Sequence, residues 1–180
     1  MNENTILNEL VFDQTAGALG YKNVRYLLIR PETLAGVQKA MEESSQTEAH
    51  RAFFQGGFQG GYLSAKRFKE IHGFQDNEII NFMMKMGTEI GWGLFRLIDF
   101  DPTRHIIRVR VEKSPFAEAY GASSRAVCHL ISGVLSGLAT VLFGRDCSAT
   151  EVQCLAMGDQ HCVFHIPSEK KNRLIREVDD

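Results

Sequence analysis

The stretch at residues 125–165, RAVCHLISGVLSGLATVLFGRDCSATEVQCLAMGDQHCVFH, decides the fold of this chain. A long apolar run is followed by two short segments that flank Met-Gly-Asp-Gln at residues 157–160. Gly-Asp between two short apolar runs is typical turn chemistry. Residues 152–155 and Cys162–Ile166 are therefore predicted to form a β-hairpin centred on Gly158.

This hairpin would place Cys154 and Cys162 opposite each other, with Cβ atoms roughly 4.5–5.5 Å apart, where two thiolates can share a metal ion. Glu151, and Cys128 from the preceding helix, complete a predicted set of four metal ligands. Glu151 lies three residues before Cys154, an odd step that points the two side chains to opposite faces of a regular strand. The ligand set therefore requires a bulge or bend between them.

Spacing alone leaves two alternatives open for these cysteines. A Cys154–Cys162 disulfide fits the same hairpin, and all four cysteines of the chain suit the role of small buried apolar residues. Cys147 fits no ligand spacing and is interpreted as a buried bystander. The N-terminal residues lack the pattern of a secretory signal, so we expect a cytoplasmic protein, and that compartment disfavours disulfides.

Length and charge favour one domain of modest surface charge. The 180 residues are 44% hydrophobic, which suffices for a sizeable core. The net charge of −2 argues against nucleic acid as the main partner. The apolar run at residues 126–142 is short for a membrane crossing, so no membrane span is expected.

Residues of the C-terminal third match the pattern of a known family, and they are Pro115, Val127-Cys128-His129, Gly133, Gly137, Phe143-Gly144 and Glu151-x-x-Cys154-x-x-x-Gly158-Asp159-x-x-Cys162-x-Phe164. On these residues the chain resembles the 4-vinyl reductase domain family. That family includes a protein linked to bacteriochlorophyll synthesis, small archaeal hydrocarbon-binding proteins, and the sensor domains of phenol- and xylene-responsive transcription activators. A weaker likeness extends into the helical middle of the chain.

The resemblance implies a zinc ion held by three cysteines and one glutamate, which are Cys128, Glu151, Cys154 and Cys162 here. Four such donors complete a tetrahedral zinc and leave no position for water, so the ion would be structural rather than catalytic. The site would carry two net negative charges, which backbone N–H groups or neighbouring basic residues would offset. These neighbours are Arg125, His129 and His161.

The pattern of apolar residues and turns predicts an α+β fold, with helices packed on an antiparallel sheet of hairpins. Predicted elements are a strand at 24–29, helices from Pro31, Thr47 and Asp76, a hairpin of 94–100 with 105–111, and a buried helix at 126–142. The resemblance implies the same architecture, shared with ligand-binding domains of the nitric-oxide signalling and Golgi transport superfamily. Residues 1–22 are predicted to form an N-terminal arm and a candidate dimer contact. Residues 23–180 would form one domain with the metal site in 125–166, ending in a charged helix at 168–180.

A glycine-rich segment lies in the second predicted helix. Gly57, Gly61 and Ala65 recur every fourth residue, and therefore share one helix face. The order of glycines matches neither phosphate-loop pattern. Small residues on one face favour the close approach of a neighbouring helix or of a ligand.

The function that follows is a non-catalytic sensor module, which holds a small apolar or aromatic molecule between the helical middle and the sheet. Six side chains are predicted to line the pocket, with ordinary core packing as the alternative: Met86, Trp92, Phe95, His105, Phe116 and Tyr120. A homodimer and a separate output protein are the expected partners. The alternative function is an accessory or catalytic subunit in the reduction of a tetrapyrrole vinyl group, although the sequence contains no dinucleotide fingerprint to supply hydride.

Overall fold

The computed structural model describes residues 3–167, and the helix predicted at 168–180 lies outside them. Within these residues the elements follow one another in the order α1 (Thr5–Asn8), β1 (Val11–Asp13), β2 (Ala18–Tyr21), β3 (Val24–Tyr26), α2 (Pro31–Ser44), α3 (Gln46–His72), α4 (Asp76–Glu89), β4 (Leu94–Asp101), β5 (Ile106–Glu112), α5 (Pro115–Tyr120), α6 (His129–Phe143), β6 (Thr150–Gln153), a 3-10 turn (Leu155–Met157) and β7 (Cys162–Ile166).

The strands form two antiparallel sheets. One has the order β1-β2-β3, and the other has the order β4-β5-β7-β6. The predicted β4–β5 hairpin is present, and β6 pairs with β7 as the second hairpin. Helices packed on antiparallel sheets confirm the predicted α+β class.

Helix α6 is the central element of the domain. It is buried along most of its length and packs against α3, while α4 and the inner face of the larger sheet enclose the rest of the core. Helix α6 begins at His129, so the prediction of a helix from residue 126 is wrong at this end. Cys128 immediately precedes the helix, with φ −85° and ψ 47°.

Four glycines bring α3 and α6 into backbone contact. Gly57 and Gly61 of α3 face α6, and Gly133 and Gly137 of α6 face α3. A Cβ atom added at Gly61 would lie 2.7 Å from the Val134 Cα atom, which is closer than real Cβ atoms approach. The predicted close packing of this glycine face against a neighbouring helix is confirmed.

The predicted helix starts differ slightly from the observed ones. Ser45 rather than Thr47 caps α3, and its hydroxyl accepts the Glu48 N–H at 3.3 Å. Asp76 is the first residue of α4 instead of its cap, which is Gln75.

Part of the predicted N-terminal arm is fixed to the domain. Ile6 is buried in the main core. The Glu89 carboxylate at the end of α4 accepts hydrogen bonds from the Thr5 hydroxyl and the Ile6 N–H, at 2.9 and 2.8 Å. Through residues 3–167, no helix is both long and apolar enough to cross a membrane.

Two adjacent glycines of α3 provide a matched test of the helix contact. Gly61→Ala is expected to lower the free energy of unfolding by about 3 kcal/mol, because the new methyl group would overlap the α6 backbone. Gly60→Ala is expected to raise it by up to about 1 kcal/mol, since Gly60 faces open space in the described part of the chain and alanine favours the helix. Urea unfolding measures both, and equal effects would contradict the close contact.

Candidate metal centre

The four side chains predicted as metal ligands converge at one place. The Sγ atoms of Cys128, Cys154 and Cys162 and a carboxylate oxygen of Glu151 all lie within 4.8 Å of one another. The three cysteines are fully buried, and Glu151 is partly buried. No disulfide joins these three described cysteines: the Cys128 and Cys162 Sγ atoms are 3.7 Å apart, far beyond the roughly 2.05 Å of an S–S bond.

The hairpin aligns its donors through an irregularity that the ligand set required. In the β6–β7 ladder, Glu151 pairs with Phe164 and Gln153 pairs with Val163, so the register shifts between Glu151 and Gln153. The shift cancels the odd spacing and allows Glu151 to reach the same cluster as Cys154. The strand ends at Gln153, one residue earlier than its cysteine.

The loop between the two hairpin cysteines is held by local hydrogen bonds. The Asp159 carboxylate accepts the Cys154 N–H at 2.8 Å, and the Cys154 carbonyl accepts the Met157 N–H at 2.9 Å. Gly158 has φ 95°, a conformation that side-chain-bearing residues rarely adopt. These contacts fix the direction in which the Cys154 side chain leaves the backbone.

Backbone and side-chain donors already surround the cluster. The Cys128 N–H donates to Glu151 Oε2 at 2.9 Å, and the Leu155 N–H donates to Cys162 Sγ at 3.4 Å. The Ser114 hydroxyl lies 3.5 Å from Cys128 Sγ. Glu151 Oε1 is buried without a hydrogen-bond partner among residues 3–167. A buried orphan carboxylate oxygen beside three sulfurs fits a bound cation.

The ionisation of the cluster points the same way. Burial, with the nearby Cys154 charge, raises the pKa of Glu151 to about 8. A hydrogen bond to Cys154 raises the pKa of Cys128, whereas hydrogen bonds from Cys128 and Cys162 lower the pKa of Cys154. A divalent cation would supply the positive charge that allows all four donors to ionise together.

The side chains predicted to line a ligand pocket are Met86, Trp92, Phe95, His105, Phe116 and Tyr120. Trp92 packs edge-on against Phe116, with ring centroids 5.0 Å apart. His105 contacts the Phe143 ring instead, at 5.1 Å. Their role as ligand contacts stays a prediction.

The other three of these side chains lie in separate surroundings. Tyr120 donates its hydroxyl proton to Glu42 at 2.6 Å. Met86 and Phe95 are buried, and the Tyr26 hydroxyl approaches the Met86 sulfur at 4.0 Å.

An open cleft with a volume of about 690 Å³ lies between the N-terminal segment, α4 and β4. Its lining is Glu3, Asn4, Asn81, Met84, Lys85, Thr88, Glu89, Leu94, Phe95, Arg96 and Leu97. Phe95 alone connects it to the predicted pocket. Sequence reasoning missed this cleft, because its walls come from three segments that no local pattern relates.

A second group of metal-ligating side chains was also missed by sequence reasoning. Glu42, His50 and His129 come from α2, α3 and α6, and their ligand atoms lie within 4.8 Å of one another. Only His129 was singled out from the sequence, as a neighbour of the first cluster.

Comparison with known proteins supports the family resemblance. Residues 107–167 match the model of the 4-vinyl reductase domain, which confirms the predicted resemblance to this family over that part of the chain. The chain is 20% identical to the phenol regulator MopR of Acinetobacter guillouiae across 87% of its length. It spans only 30% of that longer protein.

Two solved structures share the fold. The phenol-responsive sensory domain of the transcription activator PoxR, determined with phenol, superimposes with a TM-score of 0.78 at 20% identity, over 90% of this chain and 86% of that domain. A trafficking protein particle complex subunit 3 from Naegleria fowleri, covalently bound to palmitic acid, gives a TM-score of 0.56 at 10% identity, over 79% of this chain and 97% of that subunit.

The loop between the hairpin cysteines can be tested at Asp159. Asp159→Ala is expected to lower the free energy of unfolding by about 1.5 kcal/mol, because the Cys154 N–H loses a charged acceptor. Asp159→Asn keeps an acceptor oxygen and should retain much of the stability. Chemical denaturation of both variants measures the difference, and equal losses would contradict the role of this hydrogen bond.

Proposed function

We propose that this chain is a non-catalytic sensor module, which binds a small apolar or aromatic molecule and is braced by a structural zinc ion. The observation that carries the proposal is the convergence of three cysteines and one glutamate in a fold shared with a phenol-responsive sensory domain. The match to the family model covers both strands that frame the cluster.

The chemistry of the donors supports zinc. Thiolates bind zinc at about 2.3 Å and carboxylates at about 2.0–2.2 Å, in tetrahedral sites of four ligands. Cys128, Glu151, Cys154 and Cys162 would fill all four positions, so the ion would have no place for a reacting water. Its effect is mechanical, because it joins the start of α6 to the end of the β6–β7 hairpin.

The ligand is proposed to bind between α4 and the larger sheet, beside Met86 and Phe95. The α4 face turned to the core carries Met83, Met84 and Met86, and methionines adapt their shape to irregular apolar partners. Phe95 contacts this face directly, since a Cβ atom added at Gly87 would lie 3.1 Å from its ring. The open cleft at α4 and β4 offers an entry route next to Phe95.

A sensor also needs an output, and the proposal assigns it to a homodimer contact or to a separate partner protein. The N-terminal segment supports the first route, because Val11 and Phe12 on β1 are 68% and 60% exposed. An apolar edge of this kind suits contact with a second protein surface.

Removal of one sulfur tests the zinc brace. Cys154→Ser is expected to lose one zinc equivalent per chain and to melt roughly 10 °C lower, because the binding energy of a structural metal is folding energy. Cys147→Ser removes another buried cysteine outside the cluster and should retain the metal. Elemental analysis and thermal unfolding check both variants, and unchanged zinc in Cys154→Ser would contradict the brace.

Ligand binding is tested on the whole chain. Native mass spectrometry of the protein purified from its host should reveal a bound hydrophobic molecule. Calorimetry with phenol and toluene as probes should show binding that Phe95→Ala weakens at least tenfold, which corresponds to about 1.4 kcal/mol. Phe12→Ala removes an exposed ring and should leave the affinity unchanged. Equal affinities in the two variants would contradict the assigned location.

A further inference from the structure

We propose that Glu42, His50 and His129 form a second metal site, which binds a divalent transition-metal ion of the zinc class and keeps one coordination position open. The site lies where α2, α3 and α6 meet, and it shares no ligand with the cysteine cluster. His129 follows Cys128 directly, so a single peptide bond joins the two sites.

The positions of the ligand atoms suit one ion. All three residues offer ligand atoms within 4.8 Å of one another, and His50 Nε2 lies 3.8 Å from Glu42 Oε1. A tetrahedral ion with bonds of about 2.0–2.2 Å holds its ligand atoms roughly 3.3–3.6 Å apart. The two imidazole rings lie against each other with centroids 3.8 Å apart, tilted by 33°. Rotation of the rings about their side-chain bonds would bring the three donors to the shorter separations.

Two orphaned nitrogen atoms mark the site. The Nε2 atoms of His50 and His129 are both buried, and neither has a hydrogen-bond partner within the described residues. Buried polar atoms are normally paired, so two unpaired atoms from different helices at one place call for a shared partner. Burial lowers the pKa of His50, which keeps this imidazole neutral and able to bind a metal at pH 7.

The carboxylate of the group is already oriented by its own partners. The Glu42 side chain is 8% exposed. Its Oε2 atom accepts hydrogen bonds from the Tyr120 hydroxyl at 2.6 Å and from Arg125 at 3.2 Å, and its Oε1 atom accepts one from Gln38 at 3.0 Å. Outer contacts of this kind fix the direction of metal-binding carboxylates. Oε1 retains a second lone pair on the side where His50 lies.

Charge balance favours a cation at this position. The proposed zinc with three thiolates and one carboxylate carries two net negative charges, and the Glu42 and Arg125 pair sums to zero. A second divalent ion would bring the adjoining sites to neutrality. This step rests on the proposed zinc, whereas the geometry of the histidines does not.

The donor set also defines the chemistry. Two imidazoles and one carboxylate are the ligands of zinc sites that keep a fourth position for water or an exogenous ligand. The hydroxyl of Tyr120 and the guanidinium of Arg125 border this carboxylate. An oxygen-donor ligand, such as a carboxylate or a phenolate, is therefore the class of molecule that the open position would accept.

Cobalt binding separates the two sites, because only thiolate ligands give intense charge-transfer absorption with Co²⁺. The whole chain is expected to bind two equivalents of Co²⁺, one with and one without thiolate absorption. His50→Ala should lose the equivalent without thiolate absorption and keep the other. Cys154→Ser should alter the thiolate absorption alone, which keeps failure of the structural zinc distinguishable.

His165→Ala is the matched control, because His165 lies on β7 outside both groups and should leave both equivalents in place. If His50→Ala does not fold, His50→Gln and the cobalt titration of the unmodified chain decide the question. A single equivalent, all of it with thiolate absorption, would overturn the proposal and leave a group bridged by water only. Two equivalents retained in His50→Ala or His50→Gln would overturn it as well.

Discussion

The connection between the start of α6 and the end of the β6–β7 hairpin is the constraint on which this domain depends. Cys128 supplies one side of it, and Glu151, Cys154 and Cys162 supply the other. These groups are buried, and burial of several acidic donors together is unfavourable unless positive charge accompanies them. A cation would remove this cost and join the larger sheet to the central helix at the same point.

The glycine contact between α3 and α6 determines where that connection lies. Because Gly57, Gly61, Gly133 and Gly137 lack side chains, the two helices approach at backbone distance. The approach places His50 of α3 against His129 of α6, with the rings in contact. Both metal-ligating groups therefore depend on one helix–helix contact, although one uses sulfur ligands and the other uses imidazoles.

Local sequence rules predicted the elements better than their ends. The bulge near Glu151 followed from an odd spacing, and the glycine face followed from a spacing of four. The start of α6 was predicted too early because tertiary contacts use the backbone before it. Gln38 donates to the Val127 carbonyl, and the Cys128 N–H donates to Glu151. The group of Glu42 and two histidines left no local pattern, since its members meet only after three helices have packed.

Anomalous diffraction at the zinc absorption edge tests the central claim most directly, because it locates metal ions independently of the protein atoms. The account predicts an anomalous peak at about 2.3 Å from the sulfur atoms of Cys128, Cys154 and Cys162, and at about 2.0–2.2 Å from a carboxylate oxygen of Glu151. Crystals of the zinc-loaded protein without a peak among these four side chains would contradict it.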